Sequence, residues 1–174
     1  MVVDAPPSGI AVPIALPPRL AAIRDRWDLA ASLGAGPHVT ALYPFAPAVG
    51  LTDEIRDGLA RIATAVEPFD VRFERARRFP GVVWVEPVPG GPFLEMTRAI
   101  AAQWPDWPPY GGLFDTVIPH LTIAESEVAP LDELASTVEA ELPFEARADR
   151  LELWLQDDGG RWRPHWVFPF GVRP

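Results

Sequence analysis

The chain has 174 residues, a formal net charge of −9 and no Cys, and 48% of its residues are hydrophobic. This length is enough for one domain or for two small lobes that share a core. The lack of Cys excludes disulfides and thiolate metal sites, no apolar run is long enough to span a membrane, and the negative charge disfavours long nucleic acid, which binds through many cationic side chains.

The start of the chain bears on its location. Met1-Val2-Val3-Asp4 contains no basic segment of the kind that opens a secretory signal. Together with the lack of Cys, this favours a cytoplasmic protein, and we expect a monomer without a membrane partner.

The first half of the chain predicts a strand, a helix, a strand, a helix and a hairpin of two strands. Thr52 with Asp53 is a plausible N-cap for the second helix. Pro80 and Gly81 join the two strands of the hairpin. In chain order, these elements are residues 9–16, 19–31, 37–45, 52–66, 69–79 and 82–88.

The second half repeats the same types of element after a break at residues 89–92. A loop rich in Pro, Gly and aromatic residues follows the first helix, and a turn at residues 157–160 separates the last two strands. In chain order, we predict a helix at 93–104, the loop at 105–114, a strand at 119–124, a helix at 131–142 and strands at 144–156 and 162–170.

A repeated phrase is the most informative feature of the sequence. Pro37-His38-Val39-Thr40-Ala41 recurs as Pro119-His120-Leu121-Thr122-Ile123 and uses two of the three His. From the composition, two such matches have a probability on the order of one in ten thousand. Residues i and i+2 of a strand share a face, so each phrase displays an imidazole and a hydroxyl together. Two such strands facing each other would form a cleft.

These residue types suit phosphodiester hydrolysis. One neutral and one protonated imidazole can act as base and acid near neutral pH, and Thr hydroxyls can donate to the non-bridging phosphate oxygens. Two alternatives remain open for the His. Each can be a hydrogen-bonded structural residue, or the two can bind a metal with His165 as third ligand, although Thr is a poor metal partner.

The paired phrases resemble the 2H phosphoesterases, a superfamily that includes bacterial 2′-5′ RNA ligase-like proteins and 2′,3′-cyclic phosphodiesterases. The resemblance covers most of the chain, because the motifs lie 82 residues apart at positions 38 and 120. It implies an α+β, duplicated and bilobal fold, with two antiparallel sheets facing a central cleft, helices outside and pseudo-two-fold symmetry. We expect one such domain over residues 1–174, with lobes near 9–88 and 91–172.

The resemblance also implies the site. It makes His38 and His120 catalytic and gives Thr40 and Thr122 the role of binding the phosphate. In the opening of a 2′,3′-cyclic phosphate, we expect His120 to be the base and His38 the acid, with the roles exchanged in ligation.

The function indicated is a metal-independent phosphodiesterase, without a cofactor, that opens a small or terminal cyclic nucleotide. Its partner would be a small nucleotide or a short RNA end. A reversible 2′-5′ RNA ligase and a non-catalytic module that binds a nucleotide or an RNA end remain as alternatives. One departure from the 2′-5′ ligase-like group disfavours polyanionic ends: a basic residue often follows the second motif there, whereas this strand continues Ala124-Glu125-Ser126-Glu127.

Residues that position the ligand are harder to identify. Tyr43 in the first motif strand and Tyr110 and Phe114 in the loop before the second are candidates for base stacking or for lining the cleft. Trp107 is a further aromatic in that loop, and such residues also serve simply to pin a loop to the core. The cluster Arg75, Arg77 and Arg78 can reach a phosphate, but a solvated strand face is the simpler interpretation.

Overall fold

The computed structural model describes residues 6–172 as an α+β fold with eight strands and five helices. Residues 1–4, on which the signal-peptide argument depends, lie outside the described residues. No helix within residues 6–172 is long and apolar enough to cross a membrane. The elements are β1 (Pro7–Pro13), α1 (Pro18–Trp27), α2 (Leu29–Ser32), β2 (His38–Pro47), α3 (Asp53–Thr64), β3 (Phe69–Phe79), β4 (Val82–Val88), α4 (Gly91–Gln103), β5 (Leu121–Glu125), α5 (Leu131–Ala140), β6 (Phe144–Ala148), β7 (Arg150–Gln156) and β8 (Trp162–Pro169).

All eight strands belong to one antiparallel sheet with the order β6-β3-β4-β5-β2-β1-β7-β8. The two motif strands, β2 and β5, are central neighbours, and they pair only at Val39 and Leu121. Strands β3 and β4 therefore lie on the β5 side, whereas β7 and β8, from the end of the chain, lie on the β2 side. Each half of the sheet thus draws on distant parts of the sequence.

The single sheet differs from the two facing sheets that we expected. Backbone pairing between Val39 and Leu121 connects the two sets of four strands, so the motif strands lie side by side rather than across a cleft. Because the strands pair at only one position there, the two motifs can diverge from it and leave space above the joint.

The main core is one contiguous apolar cluster that contains residues from both halves of the sheet, and a second, smaller cluster consists of Ala11, Ala35 and Trp154. Helix α1 packs on β5, α5 on β3 and β4, α4 on β2, and α3 on β8. Each of these helices contributes a completely buried aliphatic side chain: Leu20, Leu59, Ile100 and Val138. Thr52 caps α3 as predicted, because its hydroxyl accepts a hydrogen bond from the backbone N–H of Ile55 at 3.3 Å.

The element limits differ from the predictions mainly at single interrupting residues. The hairpin strands β3 and β4 have the predicted limits. The helix expected over 19–31 is divided at Asp28, whose extended backbone (φ −108°, ψ 116°) ends α1 and caps α2. The strand expected over 144–156 is divided at Asp149 into β6 and β7, which occupy opposite halves of the sheet. His120 was expected inside a strand and directly precedes β5.

Candidate active site

A cavity of about 480 Å³ lies above the joint between β2 and β5. His38, Thr40, His120 and Thr122 all line it. The structure therefore brings together the four residues that the repeated phrase singled out, and all four side chains are half-buried.

The strand register explains this convergence. Val39 lies opposite Leu121 in antiparallel strands, and both are completely buried. Their neighbours along each strand point to the other face of the sheet. This register places His38 across from Thr122 and Thr40 across from His120, so each imidazole has a hydroxyl of the other motif as its counterpart.

Both imidazoles are held in the same way. Nδ1 of His38 lies 2.8 Å from the Gly36 carbonyl, and Nδ1 of His120 lies 2.7 Å from the Ile118 carbonyl. A carbonyl accepts only from a protonated nitrogen, so Nδ1 donates and Nε2 is the nitrogen that can exchange a proton. The Pro between each carbonyl and its His has its φ restricted to about −65°, which helps to hold the short turn that brings these groups together.

Aromatic rings fix the position of each imidazole further. Trp154 meets His38 edge-on at 4.8 Å between ring centroids, and its indole N–H donates to Glu152 at 2.6 Å. His120 lies edge-on against Phe79 at 5.2 Å and Trp84 at 5.7 Å. The rings thus cover part of the surface of each imidazole.

The environment disfavours the charged form of both His. Burial lowers the pKa of His38 to about 4; the Gly36 carbonyl opposes this shift, whereas the positive charges of Arg24 and His120 add to it. Burial also lowers the pKa of His120, against the effect of the Ile118 carbonyl. The charge of Arg24 lowers the pKa of His38 but is not among the causes that shift the pKa of His120. When the pair holds a single proton, that proton is therefore more stable on His120 than on His38.

The predicted aromatic candidates divide into two groups. Tyr43 and Tyr110 line the cavity, and Tyr43 meets Trp162 edge-on at 5.9 Å. Phe114 does not line it; this ring is 63% exposed and contacts Tyr110 from outside. Trp107 packs against Phe45 in the core, with 5.1 Å between the ring centroids. This ring therefore attaches the loop to the core, which was the alternative to a role in ligand binding.

The other basic and His candidates lie away from the cavity. His165 is exposed on β8 and does not line it. Arg77 binds Glu86 at 3.1 Å, and Arg78 binds Asp132. These neighbouring arginines point to opposite faces of β3, and both are exposed. The arginines of this cluster are therefore solvated side chains that do not line the cavity.

The cavity has further lining residues that the sequence did not place there. Glu125 was expected only at the rim of the cleft. It lies three residues after Thr122, just as Tyr43 lies three residues after Thr40, and this shared spacing is a sequence signal that both residues line the cavity. Several others come from distant elements and could not be found from the repeat, among them Asp28, Trp154, Gln156 and Trp162.

Comparisons with known proteins agree with this architecture. The family model of the 2′-5′ RNA ligase superfamily matches residues 12–160. Among curated proteins, no sequence matches the chain. Among solved structures, TT0787 of Thermus thermophilus is similar with a TM-score of 0.63 and 19% identity, over 95% of this chain and 98% of that one.

Two further crystal structures are similar at lower identity. E. coli LigT complexed with 3′-AMP has a TM-score of 0.56 and 15% identity, over 97% of this chain and all of LigT. A structure described as a phosphoesterase has a TM-score of 0.52 and 16% identity, over 97% of this chain and 100% of its own. At these identities the three structures show a shared fold.

Proposed function

Since the chain belongs to the 2′-5′ RNA ligase superfamily, we propose that it is a phosphoesterase that opens a small or terminal 2′,3′-cyclic nucleotide phosphodiester. The observation that carries the proposal is the pair of imidazoles in one cavity, each with Nδ1 bound to a backbone carbonyl and Nε2 left to exchange a proton. E. coli LigT is known in complexes with 3′-AMP, with NADP+ and with ATP, which supports a nucleotide as the ligand class.

The proposed reaction uses the two His in complementary roles. Neutral His38 takes a proton from water at Nε2 as the water oxygen attacks phosphorus. The bond from phosphorus to one ribose oxygen breaks, and that oxygen takes the proton from Nε2 of His120. Thr40 and Thr122 donate hydrogen bonds to the non-bridging oxygens, where negative charge increases. This assignment reverses the one preferred on sequence, because burial, together with the charges of Arg24 and His120, disfavours a proton on His38.

The proposed reaction needs no metal ion. Within residues 6–172, no three His, Asp or Glu side chains are grouped so that they could hold one. Acid–base catalysis by the His pair instead supplies both proton transfers, and the Thr hydroxyls supply the phosphate contacts.

The test is a panel of 2′,3′-cyclic mononucleotides, a 2′-5′ dinucleotide and a linear ADP-ribose phosphate, assayed with excess EDTA. We expect the enzyme to hydrolyse a cyclic mononucleotide, and we expect EDTA to leave the rate of this hydrolysis unchanged. His38→Ala and His120→Ala should each lower the rate by about 10²–10⁴-fold. His165→Ala is the matched control, because this exposed His lies outside the cavity.

The same panel can overturn the proposal. Full activity in both cavity variants would place the chemistry elsewhere, and rescue of an EDTA-treated enzyme by a divalent ion would identify a metallohydrolase. Joining of a 2′-5′ bond without hydrolysis would favour the ligase, and binding without turnover would favour the non-catalytic module.

A further inference from the structure

Each motif strand contains an irregularity directly after its Thr. In β2, Thr40 pairs with Ala11 and Leu42 pairs with Ile10, so Ala41 is an extra residue. In β5, Thr122 pairs with Trp84 and Ala124 pairs with Val83, so Ile123 is extra in the same way. Such a one-residue bulge shifts the alternation of side chains by one position.

The shift returns the third residue after each Thr to the cavity face. Without a bulge, positions i and i+3 of a strand point to opposite faces. Glu125 instead pairs with Val82, which shares a face of β4 with Trp84, the partner of Thr122. Tyr43 is the counterpart of Glu125 in the first motif, and both line the cavity. The bulges thus place an aromatic side chain in one motif and a carboxylate in the other.

The surroundings of Glu125 make its end of the cavity acidic. Its backbone pairs with that of Asp28, which also lines the cavity. Glu125 is partly exposed. Its partial burial and the charge of Asp28 both raise its pKa.

The cation beside Asp28 is already engaged. Arg24 is 3% exposed, lies 2.8 Å from the carboxylate of Asp28 and donates to the Ala35 carbonyl at 2.8 Å. Among residues 6–172, no Arg lines the cavity, and the chain contains no Lys. The cavity therefore offers hydroxyls and imidazoles for one phosphate and no cationic side chain for a second.

We propose that Glu125 is a specificity-determining residue that restricts the substrate to a cyclic phosphodiester with no second phosphate. Its carboxylate accepts hydrogen bonds from a hydroxyl or amino group of the nucleoside and repels a further phosphate. This inference rests on the proposed function and narrows it to nucleoside cyclic monophosphates, as opposed to phosphorylated nucleotides and RNA ends.

The test compares adenosine 2′,3′-cyclic phosphate carrying a 5′-hydroxyl with the same nucleotide carrying a 5′-phosphate. We expect the wild-type enzyme to prefer the 5′-hydroxyl form by at least about 10-fold in kcat/KM. Glu125→Gln, which keeps the shape and removes the charge, should bring the ratio to within about threefold. Glu125→Arg should reverse it.

Glu127→Gln is the matched control, because it removes the same charge from an exposed residue outside the cavity. Equal use of both substrates by the wild type would overturn the proposal. So would an equal change in the ratio in Glu125→Gln and Glu127→Gln, since this would show an effect of net charge only.

A binding experiment separates this proposal from the proposed function. If neither substrate is opened, the proposed function fails, and calorimetry with adenosine 3′-monophosphate and adenosine 3′,5′-bisphosphate tests Glu125 by itself. A preference for the monophosphate that Glu125→Gln abolishes supports the proposal. Equal affinities for the two nucleotides, or binding of neither, would overturn it.

Discussion

The two cavity imidazoles differ in the positive charges that act on them, and this difference has a consequence for catalysis. Both pKa values are lowered by burial, but only His38 also feels the charge of Arg24. A base must be neutral and an acid must be protonated in the free enzyme for kcat/KM to be high. His38 is therefore suited to be the base and His120 the acid.

The pH dependence of kcat/KM should report this arrangement. Activity should fall on the acidic side as His38 is protonated, near its pKa of about 4. It should also fall on the alkaline side as His120 loses its proton. The pH of this alkaline limb should lie below 6.5, the ordinary pKa of His, because the pKa of His120 is lowered. We expect a bell-shaped profile with an acidic optimum, whose two limbs belong to the pair.

Initial rates at low substrate concentration, measured from about pH 3.5 to 8.5, give this profile. The profile of kcat should lie at higher pH, because a bound phosphate anion favours both imidazolium forms. An alkaline limb of kcat/KM above pH 7 would contradict the lowered pKa of His120.

At the residue scale, the sequence predicted the parts of the site that are formed by residues close to one another in the chain. Alternation was enough to place His38 with Thr40, and the Pro before each His shares in the turn that fixes its ring. Glu125 was harder to place in the cavity because alternation alone puts it on the face opposite Thr122. The extra residue Ile123 changes this outcome, and its effect depends on pairing with β4, which the sequence does not display.

At the element scale, the division of the first helix at Asp28 shows the same limit. Helical spacing continues through this position, so the pattern predicted one helix over 19–31. The Asp28 carboxylate instead accepts from the backbone N–H of Ala30 at 3.1 Å and pairs with Arg24. The cap and the buried ion pair together stabilise the break more than the helical pattern stabilises a continuous helix. Their contribution to stability cannot be judged from the sequence, because it depends on the burial of Arg24 and Asp28.

Breaking this ion pair should destabilise the protein strongly. Asp28→Asn keeps an oxygen that can cap α2 but leaves the buried Arg24 without its carboxylate. We expect a loss of about 3 kcal/mol in the free energy of unfolding, measured with urea. The double variant Arg24→Met with Asp28→Asn should lose less than the sum of the single losses, because no unpaired charge remains.

An exposed ion pair supplies the control. Arg56 lies 2.9 Å from Asp53, whose side chain is 82% exposed. Asp53→Asn should therefore cost less than about 1 kcal/mol. Strictly additive losses in the Arg24 and Asp28 variants would show that the two buried charges do not stabilise each other.

At the scale of the whole molecule, the sheet order determines what the cavity contains. The chain visits the β2 side, the β5 side and then the β2 side again, which brings Trp154 and Trp162 to the first motif from the end of the sequence. The motifs and the types of element could be predicted because their signals are local. The single sheet, joined only at Val39 and Leu121, could not, because strand order depends on long-range packing.

The net charge of −9 and the cavity lining together predict how salt affects binding. Extended RNA binds through many neutralised phosphates, and its affinity falls steeply with salt. This cavity provides hydrogen-bond donors for one phosphate, so one charge at most is neutralised. The logarithm of the affinity for adenosine 3′-monophosphate should therefore fall with the logarithm of salt concentration with a slope of about −1.

Calorimetry between 50 and 500 mM NaCl, about a tenfold range, measures this slope, with adenosine as an uncharged control whose affinity should not change. A single-stranded RNA without a cyclic end should bind weakly at every salt concentration, because the acidic surface repels its remaining phosphates. Tight binding of that RNA with a slope of about −5 or steeper would require a cationic track outside the cavity. Such a track would make the protein an RNA-binding enzyme and would contradict both the small substrate and the role of Glu125.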